Sequence, residues 1–137
     1  MDPLPIIVVA IGDRSVVAPM IEAVGNSSDE DNSLVDALVR LDRRYPLTRE
    51  PYLSLIVNKI VSEGPGKYGA WWLIQVLQKV TGKSFEDPGF IANGPPYNYE
   101  AEADMKIRNI LKWCETKHCK IRKTSGRRVG GIKGRND

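Results

Sequence analysis

Apolar residues recur along this chain at helical rather than strand spacing. Leu53, Ile56, Val57, Ile60 and Val61 follow i, i+3, i+4, i+7, i+8, which lines one face of an α-helix. Thr48 is placed to cap this helix, and Pro51 falls in its first turn. Upstream, Ser15 opens a helix through about Val24, with Pro19 tolerated near the first turn and Gly25 closing it. Ser33-Leu34-Val35-Asp36 is a short-acid capping box for a helix through about Arg44, with Leu34, Leu38 and Leu41 on one face. Arg43 and Arg44 suit its negative end, and Pro46 stops it.

After the tight Gly64-Pro65-Gly66 connection, a helix is predicted from Tyr68 to Thr81, ended by Gly82. Leu73, Val76, Leu77 and Val80 share its apolar face, with Trp72 at the edge. Tyr68 and Trp71 fall on the polar side with Gln75 and Gln78. The last helix is predicted from about Ala101 to His118, with Ala103, Ile107, Ile110, Leu111, Cys114 and His118 on its apolar arc and Trp113 at the arc's edge.

Three segments break the pattern. Ile6 to Ile11 is a β-branched run with no strand partner, read as a short buried helix, an extended arm, or a strand that pairs with a second copy in a homodimer. Residues 26–32, NSSDEDN, form an acidic loop. Lys83 to Tyr99 is a long irregular stretch rich in Pro and Gly, a length at which loops are often functional. The prediction is an all-α protein: a compact bundle of about five helices over residues 1–119, including the short apolar N-terminal segment, and a disordered basic tail over 120–137.

Charge sharpens that last boundary. The final eighteen residues, KIRKTSGRRVGGIKGRND, hold seven Lys/Arg and one Asp, a formal charge of +6. The other 119 residues hold 13 Lys/Arg and 16 Asp/Glu, a formal charge of −3. With only three aliphatic side chains the tail buries too little apolar surface to offset its ordering entropy. Its cations suit a polyanion, RNA slightly ahead of DNA, and an anionic membrane less well. Lys120, Arg122, Lys123, Arg127, Arg128, Lys133 and Arg135 are the candidate phosphate contacts, and Lys106, Trp113 and Lys117 extend them along the last helix. Thr124 and Ser125 offer hydroxyls whose phosphorylation would cancel roughly two charges.

The wet-side aromatics Tyr68 and Trp71 suit a protein interface. Cys114, His118 and Cys119 are weak zinc candidates, since they are the chain's only cysteines and histidine and a structural site wants four ligands. No catalytic constellation emerges. Lys67 stands outside a phosphate-loop frame, a single histidine leaves little for a triad, and the acids cluster in a loop. No cofactor is implied. No run reaches the roughly 18–20 apolar residues a membrane span needs, and Met1-Asp2 resembles neither a signal peptide nor a myristoylation site. The reading is a non-catalytic nucleic-acid-binding protein of the cytoplasm or nucleus, of a size and build that suit a viral or regulatory protein. The alternative is a helical interaction adaptor whose tail is a nuclear or nucleolar localisation signal.

Overall fold

In the computed structural model the described residues are 14–90 and 98–121. A 3-10 turn, Arg14–Val16, leads into α1 (Val17–Gly25), followed by α2 (Leu34–Leu41), α3 (Tyr52–Glu63), α4 (Tyr68–Thr81) and α5 (Tyr99–Thr116). Every regular element among the described residues is helical, as the apolar spacing requires. The Ile6–Ile11 run, residues 91–97 and the tail from Arg122 onward lie outside the described residues, as do the readings attached to them.

α4 is the hub: it packs against α1, α2, α3 and α5. A helix with neighbours on several sides buries more than one stripe. Ala70 and Ile74 are therefore fully buried beside Leu73, Val76 and Leu77, although the periodicity alone singled out only the last three with Val80. Around the hub, α1 supplies Ile21 and Val24, α2 supplies Leu38 and Leu41, α3 supplies Leu53, Ile56 and Ile60, and α5 supplies Ala103 and Ile110. Burying each Leu or Ile side chain contributes roughly 1.5–3 kcal/mol.

Helix starts follow side-chain caps that local patterns misplace. Asn32, not Ser33, caps α2: its Oδ1 accepts the Leu34 N–H at 2.9 Å. α2 ends at Leu41 rather than Arg44. Asp42 Oδ1 accepts the Leu47 N–H at 2.7 Å, and the turn so formed carries Leu47 into the core. Glu50, not Thr48, caps α3, accepting from the Ser54 N–H at 2.9 Å and from the Ser54 hydroxyl. Burial pushes the Glu50 carboxyl up, but the Ser54 bonds outweigh it and hold it below the ordinary value. α5 opens two residues earlier than Ala101 because Asn98 Oδ1 accepts the Ala101 N–H at 3.0 Å.

The end of α5 corrects the expectations for Cys114, His118 and Cys119. A continuing helix would aim Cys119 away from Cys114. Instead α5 stops at Thr116, and His118 takes a left-handed φ of 58° that reverses the chain. The two Cα atoms are then 5.5 Å apart and the sulfurs form a disulfide. The two sulfurs therefore meet rather than diverge, and His118 is exposed rather than on the apolar arc. The returning chain docks on α3: Lys120 N–H donates to Ser54 Oγ at 2.8 Å, and Asn58 Nδ2 donates to Lys120 O at 2.8 Å. One bond linking both cysteines makes their mutations redundant. Cys119→Ser should cost about 2 kcal/mol through the short loop it opens. Cys114→Ser should cost more, because it also buries a hydroxyl, and the double variant should match Cys114→Ser alone. Urea melts of the three variants check this, and a double variant equal to the sum of the singles would mean no bond joins them.

Candidate functional site

The N-terminus of α4, the 64–67 turn, the acidic loop and the first turn of α5 meet around a half-open hollow of about 550 Å³. Its lining includes four aromatic residues, Tyr68, Trp71, Trp72 and Tyr99, with Glu30, Glu100 and Lys67. Tyr68 is 44% exposed and Tyr99 65% exposed; they are the large hydrophobic side chains that stand most open to solvent among the described residues, and both face this hollow. Scattered exposed apolar residues need no explanation, but rings gathered in one concavity do.

The acidic loop holds Trp72 and Tyr68, and α5 holds Trp71. Trp72 Nε1–H donates to Asp29 O at 2.9 Å, which ties the acidic loop to α4. Tyr68 O–H donates to Glu30 Oε1 over a long 3.5 Å. Trp71 meets Tyr99 edge to face, with centroids 5.7 Å apart and planes at 88°, and the Lys106 ammonium stands 5.4 Å from the Trp71 centroid. The start of the loop is fixed by Lys59, which donates to Asn26 Oδ1 at 2.6 Å and pairs with Glu22 and Glu63, each at 3.3 Å. Burial pulls the Lys59 ammonium down, yet its bonds to Glu63 and Glu22 outweigh this and hold it above the ordinary lysine value.

The helical wheel put Trp71 on the solvent side and Trp72 against the core. The structure makes both half-buried, and both line the hollow. The difference arises because α5 covers Trp71 while the acidic loop covers Trp72. Phe85 packs on Trp113 with centroids 5.4 Å apart, and Asn109 Nδ2 donates to Phe85 O and Asp87 Oδ1, each at 2.9 Å.

Of the sequence-predicted residues, the structure brings Tyr68 and Trp71 together and adds Trp72, Tyr99, Glu30 and Glu100, which the sequence reading did not assign to a site. The available signal for Tyr99 was Asn98, a cap residue directly before an aromatic. Lys106, Trp113 and Lys117 do not form one basic stripe. Lys106 is 4% exposed, and its ammonium pairs with Glu102 at 2.8 Å. Trp113 is half-buried, with Lys117 Nζ 5.9 Å from its centroid. Lys117 and Lys120 are exposed at the root of the tail. Among the described residues no three His, Cys, Asp or Glu side chains gather as a metal site, and no helix is long and apolar enough to cross a membrane. Comparison with protein-family models, with curated proteins and with solved structures finds no match to this chain.

Proposed function

We propose that this chain is a non-catalytic nucleic-acid-binding protein that grips phosphates through its basic C-terminal tail, RNA slightly ahead of DNA. The observation that carries this reading is the charge asymmetry, +6 over the last eighteen residues against −3 over the rest. A segregated cationic segment on a mildly acidic body concentrates its field where a polyanion can follow it, and spaced glycines let it track a backbone without reading bases. Exposed Lys117 and Lys120 add to the tail where it leaves the body. Nuclear location and a viral or regulatory context fit the same reading.

The docked segment at Lys120 and Ile121 tells where to cut. Deleting Arg122–Asp137 spares the bonds to Ser54 and Asn58, so the melting temperature should hardly move. Affinity for single-stranded RNA should fall by at least about tenfold at low salt, and the full-length protein's log K should decline linearly with log salt. Unchanged affinity after deletion would refute the reading.

A second reading, a helical interaction adaptor, is favoured by the exposed rings of Tyr68 and Tyr99 around one hollow. In that reading the tail is a localisation signal and the hollow is where a partner protein docks.

A further inference from the structure

The hollow between α4, α5 and the acidic loop carries its own chemistry, independent of the tail. Ring faces carry negative charge density and attract cations, and that attraction grows where water is partly excluded. The molecule already uses this: the buried Lys106 ammonium stands 5.4 Å from the Trp71 centroid, neutralised by Glu102 at 2.8 Å, and is not part of the hollow's lining. The polar lining adds Glu30 and Glu100, which come from elements about seventy residues apart and converge on the same four rings. The Glu100 carboxyl carbon would lie 3.7 Å from a Cβ built on Gly66, so it rests close to the 64–67 turn.

Opposing charge is present. Lys67 lines the hollow, and the N-termini of α4 and α5 contribute partial positive charge. Asn98 already answers part of the α5 terminus by accepting from Ala101 N–H. Two carboxylates, Glu30 and Glu100, line the hollow against one lysine. A phosphate or nucleotide would meet like charge there. A cation meets opposite charge and aromatic faces.

Among cations, the guanidinium fits best. The hollow is half-open and cannot replace the full hydration shell of a compact ammonium. A guanidinium is more weakly hydrated, stacks flat on Trp and Tyr, and forks onto carboxylates. Trp71 and Tyr99 stand perpendicular to each other where they line the hollow.

We infer that this hollow is a receptor for an arginine side chain presented by a second polypeptide, stacked among Tyr68, Trp71, Trp72 and Tyr99 and paired with Glu30 or Glu100. The assignment deepens the adaptor reading and leaves the tail's role in nucleic-acid binding untouched.

The test titrates the full-length chain with Nα-acetyl-arginine amide and with its neutral isostere, Nα-acetyl-citrulline amide, following the indole N–H signals of all three tryptophans by NMR. Arginine amide should shift Trp71 and Trp72 saturably and leave Trp113 in place, and the citrulline amide should bind about tenfold more weakly. Glu30→Gln/Glu100→Gln should lower arginine affinity by a similar factor without lowering the melting temperature. Equal affinity for the two probes would overturn the arginine assignment while leaving a docking surface. No shift with either probe would likewise overturn the arginine assignment. Tighter arginine binding in Arg127→Gln/Arg128→Gln would show the chain's own tail in the hollow and overturn the assignment to a second polypeptide. None of these outcomes depends on RNA affinity, which the tail deletion measures separately.

Discussion

Lys106→Met should destabilise the fold by about 3–5 kcal/mol, among the largest losses available from one side chain. Lys106 and Glu102 are 4% and 5% exposed, and their 2.8 Å ion pair lies inside the protein. The variant removes the cation and keeps a buried carboxylate. One oxygen of that carboxylate, Glu102 Oε1, already has no hydrogen-bond partner among the described residues. The contact with Trp71 disappears as well. Restoring neutrality should restore stability. Glu102→Leu/Lys106→Met should lie within about 1 kcal/mol of the parent or above it, because two buried charges are no longer taken out of water. Urea melts of the two singles and the double, compared at unchanged m-value, give the coupling directly. A Lys106→Met loss below about 1 kcal/mol would place this pair in solvent.

Gly69→Ala should destabilise severely, against the usual sign. In an exposed helix interior, alanine for glycine gains roughly 1 kcal/mol. Here a Cβ on Gly69 would stand 2.5 Å from the Gly25 carbonyl carbon, with its oxygen closer still. These are backbone atoms, so no rotamer change relieves the clash. The end of α1 and the start of α4 must separate, and the neighbouring acidic loop and Trp72 move with them. The cost should reach or exceed the upper end of the roughly 1–3 kcal/mol typical of overpacking. Gly25→Ala provides the comparison. Its Cβ would meet the stem of Lys59, including Cε at 2.7 Å, a flexible side chain that can swing away at the expense of its pairs with Glu22 and Glu63. Thermal melts should therefore rank Gly69→Ala well below Gly25→Ala. Equal melting temperatures would mean the two helices do not cross this closely.

These effects show where reading the sequence stopped. The wheel over Tyr68–Thr81 placed Tyr68 and Trp71 together on the side that meets a partner, and they do line the hollow. The reading of the last helix placed Lys106 beside Trp113 on a basic stripe, because a seven-residue spacing repeats a face. It had no means of knowing that α4 would cover that face at Lys106 and supply a ring for its ammonium. Gly25 and Gly69 illustrate the same limit. Gly25 read as a helix stop, and α1 does end there, but nothing local showed that it is also one half of a close crossing whose other half is 44 positions away.

What the sequence determined by itself is local. The 3.6-residue apolar period specified an all-helical body, and Gly82, with its left-handed φ of 74°, closed α4 at the residue the pattern named. Such features depend on backbone conformation and neighbours within a turn or two, and those are written consecutively in the chain. Only the tertiary structure decided which helix became the hub, which polar pair was buried, that Cys119 returns to Cys114, and that Glu30, Trp72 and Tyr99 surround one hollow. Those choices depend on contacts between segments tens of residues apart, where burial and Coulomb energy act through space and leave no periodic trace in the order of residues.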